Sequence, residues 1–393
     1  MAHITEFSVE GLAGRKEPYS QVLDRHVNVF FGLNGSGKTS LLKILHAAMS
    51  NEVSLLGSVP FTAAEVKIYS LDRKKLYTSS YTKPKEKAVQ EQTDEVTAPN
   101  LNRFLSQKYF LWQTTIGGEW QVEPKESGEA KIGGWNHRYL PISRLYMSDA
   151  IPSPSLETVG QQSRITEEFL EESFSQIVNR LWSSYSAEVL GIVQRVQAHG
   201  LAEILKAIVT GHPSSEATGQ RADLSVIYER VSRFLERQGS RGILGDKGAF
   251  EESYQSNSQF RSAVTEINSV ELQIQAAMAP RNKLESLISQ MFTGNKRATF
   301  KDSSIEIVGT DNQKIGLGRL SSGEKQLIRI FIDAISVGPS SLILDEPEIS
   351  MHVDWQRSLI NAMRELNPEM QIIAATHSPE VMAEVSDKNI YRL

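Results

Sequence analysis

The sequence contains no cysteine, which removes disulfides, thiolate metal ligands and cysteine nucleophiles from consideration. No stretch approaches the roughly 20 apolar residues that a membrane-spanning helix needs. The opening MAHITEFSVEGL has no basic segment followed by an apolar core, so no leader is expected and a cytoplasmic protein without membrane contact is the expectation. Positive charge is not in excess either: 42 Lys and Arg stand against 47 Asp and Glu, a formal net charge of -5. That argues against a general basic coat for nucleic acid, although a local patch remains compatible with it. There is no internal repeat and no long low-complexity tract. What is left is an ordinary globular composition, 40% hydrophobic and 23% charged over 393 residues, long enough for two or three domains with a sizeable core.

Hydrophobic periodicity divides the chain into three parts. Residues 1–159 open as an α/β domain: HITEFSV alternates, VNVFF is a short apolar run and SLLKILHAAM has helical spacing. Short strand-like pieces follow, AEVKIYSLD, KLYTSSYT, KYFLWQTTI and EWQVEP, separated by polar turns. They predict antiparallel hairpins added to a core sheet. Residues 160–292 turn helical, with Ile165, Phe169, Ile177, Leu181, Tyr185, Val189, Ile192 and Val196 recurring at threes, fours and nearby multiples. The loop-like TGHPSSEATGQ and GSRGILGDKG separate these helices, so an insertion of several antiparallel helices without sustained heptads is expected. Residues 293–393 return to α/β: ATFKDSSIEIVG as strands, SGEKQLIRIFIDAISV as helix, SLILDE as strand, VDWQRSLINAMREL as helix, then QIIAAT and NIYRL as strands. One head is therefore expected to be built from both ends of the chain.

GLNGSGKT, Gly32 to Thr39, satisfies G-x-x-x-x-G-K-[ST] and lies between the apolar run and the amphipathic helix, the context such a loop requires. Gly32, Gly35 and Gly37 let the backbone turn its N–H groups toward phosphate oxygens, and the helix N-terminus adds a favourable dipole. Lys38 is expected to hold the β- and γ-phosphates of a nucleotide and Thr39 to ligate Mg2+ through its hydroxyl. SLILDEPE reads as a buried strand presenting Asp345 and Glu346 beside that loop. Asp345 would position Mg2+ through water, and Glu346 would accept a proton from the attacking water. Two acids ending a strand can also be a mere solvated turn; the phosphate loop favours the catalytic role. His377, in AATHSPE, follows another buried strand and would emerge at the same sheet edge, within reach of a γ-phosphate. A second loop, LSSGEKQ, puts Ser321, Ser322 and Gly323 at the start of a helix with one apolar side, Leu327, Ile328, Phe331, Ile332 and Ile335. This is either an anion site or a plain serine cap with Glu324 or Lys325 nearby, and the residues alone leave both open.

In order, GLNGSGKT, LSSGEKQ, LILDEPE and THSPE resemble the phosphate loop, signature, acidic strand and switch histidine of the ABC-type ATPases. Within that superfamily the chain is similar to the RecF, SMC and OLD-like AAA branch, including ATPase subunits of bacterial anti-phage systems such as Septu, PARIS and the retron-associated ATPases. The motifs cover residues 26–46 and 318–393, and the middle matches only in kind. The resemblance implies an α/β fold, an ABC-type P-loop ATPase head with added antiparallel β hairpins and a helical insertion, using ATP and Mg2+. It implies nucleotide contacts from Asn34, Gly35, Ser36, Gly37, Lys38, Thr39 and Ser40, catalytic roles for Lys38, Glu346 and His377, and Mg2+ at Thr39 and Asp345. It also implies that Ser321, Ser322 and Gly323 dock on the γ-phosphate of ATP held by another copy, so that a head-to-tail dimer carries two composite sites. EISMH falls at the family's D-loop, with His352 matching its usual histidine. Three features depart from the family. The Q-loop glutamine is not identifiable, and Arg144 in LPISRLYMSDA is a stand-in for its contact. There is no cysteine hook, and no TOPRIM-like region follows the last strand, so an OLD-type nuclease activity is not expected in this chain.

KIYSLDRKKLYTSSYTKPKEK carries seven Lys or Arg and three tyrosines, a composition that could contact nucleic acid but better suits a solvated hairpin edge protected by lysines. Arg221, Arg230, Arg233, Arg237 and Arg241, interspersed with Glu229 and Glu236, suggest a solvated or subunit-facing surface. Trp182 and Tyr185 are expected in the core. Three functions fit: a defence ATPase controlling a separately encoded effector such as a nuclease, a RecF/SMC-like DNA-repair or chromosome-maintenance ATPase, and a transporter's nucleotide-binding subunit. The transporter ranks last because a long helical insertion interrupts the core and the signature reads SSGEK rather than SGGQ.

Overall fold

The structure is a computed structural model and describes residues 1–84, 118–124, 134–141, 167–210, 223–237, 239–240, 242–292 and 296–393. Ile165, KYFLWQTTI, Arg144, Arg221 and Arg241 lie outside the described residues. In chain order the first elements are β1 (Ala2–Glu10), β2 (Tyr19–Val22), β3 (Val27–Phe31), α1 (Lys38–Ser50), β4 (Ala63–Ser70), β5 (Lys75–Thr82), β6 (Gln121–Glu123) and β7 (His137–Leu140). The helices α2 (Glu167–Thr210), α3 (Leu224–Arg237), α4 (Lys247–Ser256) and α5 (Ser258–Met291) follow. The chain then forms β8 (Lys296–Phe300), β9 (Ile305–Gly309), β10 (Lys314–Ile315), α6 (Ser322–Ser336), β11 (Ser341–Asp345), α7 (Val353–Leu366), β12 (Gln371–Thr376), α8 (Pro379–Met382) and β13 (Ile390–Arg392).

Every residue of β11 and β12 is buried, as strands covered on both faces must be, and they sit inside a parallel sheet of order β13-β3-β12-β11-β7. Register aligns the C-terminal ends of three strands, with Phe31 opposite Thr376 and Asp345 opposite Ala375. The loops leaving that edge follow β3, β11 and β12, where α/β sheets bind ligands. A second, antiparallel sheet has the order β2-β1-β4-β5-β6, and a short third one the order β10-β9-β8. Leu41, Leu42, Ile44, Leu45 and Met49 of α1 share one core cluster with Phe7 and Val66 of the antiparallel sheet and Phe30, Ile343 and Ile373 of the parallel one. Each such fully buried side chain contributes roughly 1.5–3 kcal/mol, so the helix that follows the phosphate loop is held on two sides. The two sheets are also joined by the buried Gln371. Its amide donates to Ile4 O (2.7 Å) and Asp24 O (2.9 Å) and accepts from Ile4 N (3.0 Å) and Ser341 Oγ (2.7 Å).

Strand alternation settles the fate of the tyrosine-rich hairpin. Tyr77, Ser79 and Tyr81 of β5 occupy one face and are buried, while Arg73, Lys74 and Lys75 are exposed. The rings face the core against Trp135 and Trp120, so Tyr77 and Tyr81 are not available as a stacking platform for bases. Lys67 pairs with Glu6, and Lys83 donates to the carbonyls of Gly57 and Val59.

Contacts divide the chain into two compact units, one of Met1–Val178, Leu287–Ala298 and Glu306–Leu393, the other of Asn179–Ser286 and Thr299–Ile305. Within the second, α2 and α5 run antiparallel: Trp182 lies under Arg281 at 5.6 Å, whereas Gly200 lies so close to Val270 that a Cβ there would overlap it. The buried stripe of α2 is Phe174, Val178, Trp182, Tyr185 and Val189; Phe169, predicted to belong to it, is exposed. Arg233 and Arg237 of α3 are exposed, as the sequence predicts for a solvated surface, and their guanidinium groups reach back to a buried acid. Arg237 and Arg233 face the fully buried Glu271 of α5 at 3.1 and 3.9 Å, and Arg230 bonds Asn268. Burying Glu271 without them would leave an uncompensated charge, which costs several kcal/mol.

Between α1 and β7 two histidines meet, His46 Nδ1 and His137 Nε2 being 2.6 Å apart, and His137 Nδ1 donates to Trp135 O at 2.8 Å. The His46 ring also stacks on Tyr139. Burial first, and the other histidine second, lowers the His46 pKa to about 3; burial lowers that of His137 as well. The His46 ring stays neutral in the fold down to about pH 3 but gains a proton in the unfolded chain below the ordinary value of 6.5. The unfolded state therefore binds more protons between pH 6.5 and 3, and stability falls as pH drops through that window. Lowering the pH from 7 to 5 should cost about 2 kcal/mol from His46 alone, and His3, lowered by burial to about 4, acts in the same direction. A melting temperature that falls over this range, and falls less in His46→Phe, is the expected result. An equal fall in both proteins contradicts it.

Candidate active site

Gly35 and Gly37 have φ of 83° and 103°, left-handed values that leave side-chain-bearing residues strained, and they let the 32–37 loop curl ahead of α1. Lys38 begins the helix and is only 5% exposed, which fixes its ammonium inside the curl. Its Nζ donates to Gly32 O at 2.8 Å and Leu33 O at 3.2 Å and lies 3.5 Å from Glu346 Oε1. Thr39 Oγ1 donates to Asp345 Oδ1 at 3.2 Å, across 306 residues of sequence. A hydroxyl and a carboxylate side by side are hard oxygen donors suited to Mg2+, and the curled loop with a buried ammonium suits a polyphosphate. The residues present therefore fit both groups. Asn34 and Gly35 are exposed at the tip of the loop, while Ser36 and Ser40 are half-buried.

Asp345 ends β11 and is 1% exposed. Glu346 leaves the strand with φ 46°, its N–H donating to Ala375 O at 2.8 Å, and the left-handed turn points its carboxylate across to the end of β12. There His377 Nδ1 lies 2.5 Å from Glu346 Oε2 and 3.5 Å from Glu348 Oε1. The His377 side chain is 55% exposed, so one edge of the ring is held by carboxylates and the other reaches solvent. Burial first, and neighbouring Glu346 second, raises the Glu348 carboxyl above the ordinary range.

Lys38, Thr39, Asp345, Glu346 and His377 are thus brought together. Ser321, Ser322 and Gly323 are not: among the described residues, no hydrogen bond or ion pair joins them to the 32–39 loop. Ser321 is the N-cap of α6 and forms a reciprocal capping box with Glu324, whose carboxylate is also gripped by Lys296 at 2.9 Å. The helix starts at Ser322, as SGEKQLIRIFIDAISV predicts, with Ser321 and Ser322 both exposed. Gly323 is buried against Ser350 O, where a Cβ would collide with the backbone. Gln326 donates to Pro347 O, so the signature helix and the segment after Glu346 are fastened together. His352 caps α7 by accepting from Asp354 N.

Sequence reasoning missed three neighbours. Arg15 reaches Ser36 O at 3.5 Å and lies over the Tyr19 ring, a cation beside the phosphate loop that belongs to no motif. Tyr139 pairs in register with Ile343, on the sheet face that carries Asp345; burial first, and Asp345 second, raises its phenol pKa. Glu348 was visible in the sequence as the last acid of DEPE, but nothing in that string says that it is buried beside Glu346.

A family model described as "AAA domain, putative AbiEii toxin, Type IV TA system" matches residues 170–383. "Retron Ec83 probable ATPase" of Escherichia coli is 28% identical over 100 residues, 22% of this chain and 18% of that protein. "Retron Vc95 probable ATPase" of Vibrio cholerae serotype O1 biovar El Tor is 28% identical over 93 residues, 20% of this chain and 18% of that one. The oligopeptide transport ATP-binding protein AppF of Bacillus subtilis is 30% identical over 124 residues, 29% of this chain and 37% of AppF. The matches thus span under a fifth of each retron protein and just over a third of AppF. Among solved structures, an Smc head domain with an extended coiled coil from Pyrococcus furiosus aligns over 98% of this chain and 92% of its own, at 13% identity and a TM-score of 0.42.

Proposed function

We propose, from the premise that this chain belongs to the AAA domain family matched over residues 170–383 and is an ABC-type ATPase, that it hydrolyses ATP in a head-to-tail dimer and thereby controls a separately encoded effector. The observation that carries this is the division of the motifs. Lys38, Thr39, Asp345, Glu346 and His377 gather at one sheet edge, while among the described residues the exposed Ser321 and Ser322 make no hydrogen bond to the 32–39 loop. Serines that stand apart from their own loop are explained if they serve a second copy's.

In this scheme the N–H groups of the 32–39 loop and Lys38 bind the phosphates, Lys38 turning its donors from the carbonyls of Gly32 and Leu33 toward them. Mg2+, when bound, neutralises charge across the phosphate oxygens, and Thr39 and Asp345 would hold it. Glu346 takes the proton of a water attacking the γ-phosphorus as the bond to the β-phosphate oxygen breaks. His377, with Nδ1 turned to the carboxylates, has Nε2 left to steady the γ-phosphate. Ser321, Ser322 and Gly323 of a second copy close the site, making hydrolysis depend on assembly.

The retron-associated ATPases among the relatives support a sensor or regulatory subunit of an anti-phage defence system. The RecF/SMC-like alternative requires a nucleic-acid track, and the buried Tyr77 and Tyr81 do not contribute to one. Affinity purification of the tagged chain from its native host separates the two. Mass spectrometry of a stoichiometric effector protein is expected, together with Mg2+-dependent ATP turnover that EDTA abolishes. Recovery of DNA without a protein partner would overturn the effector role.

A further inference from the structure

Two carboxylates lie buried side by side at the end of β11, and only one of them has a role in the scheme above. Glu348 is 4% exposed, and its carboxylate, the Glu346 carboxylate and the His377 ring offer polar atoms that all lie within 4.8 Å of one another. Like charges crowded in a poorly solvated place oppose folding, and an apolar residue at 348 would relieve that cost. Such a locally unfavourable choice is expected where geometry for chemistry is being held.

What Glu348 holds is specific. Its Oε1 accepts from the hydroxyl of the fully buried Thr376 and from the backbone N–H of His377 at 3.3 Å. Thr376 Oγ1 in turn accepts from Ser378 N at 2.9 Å. One carboxylate oxygen therefore ties together three successive residues of the turn that carries His377. The His377 N–H is shared with Glu346 Oε2 at 3.2 Å, and the ring nitrogen Nδ1 faces both acids. With Glu348 in place, the imidazole cannot rotate away from Glu346 without giving up the contacts of Nδ1 to two carboxylates, and the backbone beneath it is held separately.

We propose that Glu348 is a positioning residue for ATP hydrolysis, fixing the His377 turn through Thr376 so that His377 and Glu346 keep one relative orientation. The inference rests on the catalytic roles proposed for Glu346 and His377, and adds a residue that acts through the His377 turn. Its effect should appear in kcat and not in nucleotide binding, because Glu348 has no contact with the 32–39 loop among the described residues.

The test compares Glu348→Ala, Glu348→Gln and Thr376→Val with the unaltered chain and with Glu346→Gln. ATP turnover, affinity for a fluorescent ATP analogue and melting temperature are measured for each. Glu348→Ala should lose about 10- to 100-fold in kcat, the scale of a displaced catalytic group, with affinity unchanged within about 2-fold. Glu348→Gln, whose amide oxygen can still accept from Thr376 and the His377 N–H, should recover most of the rate. Thr376→Val, close in shape and lacking the hydroxyl, should slow turnover several-fold and serves if the alanine variant does not fold. A wild-type rate in Glu348→Ala or Thr376→Val overturns the inference. So does a loss in Glu348→Gln as large as in Glu348→Ala. If Glu346→Gln itself turns over ATP normally, the catalytic assignment beneath the inference is the part that fails.

Discussion

Glu346→Gln should bind ATP, lose about 10²- to 10³-fold in turnover, as removal of a general base does, and accumulate as the ATP-bound dimer. The substitution is nearly isosteric, and the surroundings tolerate it. The amide oxygen can still accept from His377, and removing one of two adjacent buried carboxylates relieves repulsion with Glu348. The loss of charge 3.5 Å from Lys38 frees that ammonium for phosphate, so nucleotide affinity should hold or rise. Light scattering with ATP and Mg2+ is expected to show a persistent dimer where the wild-type species is transient. Hydrolysis at the wild-type rate would show that the proton goes elsewhere.

Ser322→Arg should abolish ATP-dependent association, and hydrolysis with it, while leaving folding and first-site nucleotide binding intact. Ser322 is exposed at the first helical position of α6, so an arginine there projects into solvent. The cap belongs to Ser321 and its capping box with Glu324, and survives the change. In a head-to-tail dimer the same surface would face a second copy's phosphates through a narrow gap, and a bulky side chain would hold the copies apart. Gly323 would be a poor place for this experiment, because any Cβ meets the Ser350 backbone and damages the fold itself. Association unchanged in Ser322→Arg, measured by light scattering with ATP, would rule out the composite site.

The elements most legible in the sequence were those whose burial is complete or strictly periodic. VNVFF, QIIAAT and VDWQRSLINAMREL coincide with β3, β12 and α7 residue for residue. The α2 stripe was read less well because that helix is long and only part of each turn is covered, so Phe169 satisfies the period and is nevertheless exposed. The tyrosines of the lysine-rich hairpin were ambiguous for a related reason. Alternation shows that Tyr77 and Tyr81 share a face, but which face is inward depends on the neighbouring strands and on Trp135 and Trp120.

The same boundary runs through the candidate site. The sequence alone determined the residue types and their order: a glycine-rich loop before a helix, a pair of serines at the start of another, and acids and a histidine at strand ends, each recognisable from local spacing. Only the tertiary structure decided which of them meet. Asp345 reaches Thr39 across 306 residues because β11, β12 and β3 are hydrogen-bonded in register, whereas the helix that Ser321 and Ser322 begin is bonded to Pro347 and packed against Ser350. Glu348 shows the limit most clearly. Local sequence cannot distinguish a solvated acid from one buried against another carboxylate, since burial is a property of what folds over a residue rather than of the residue itself.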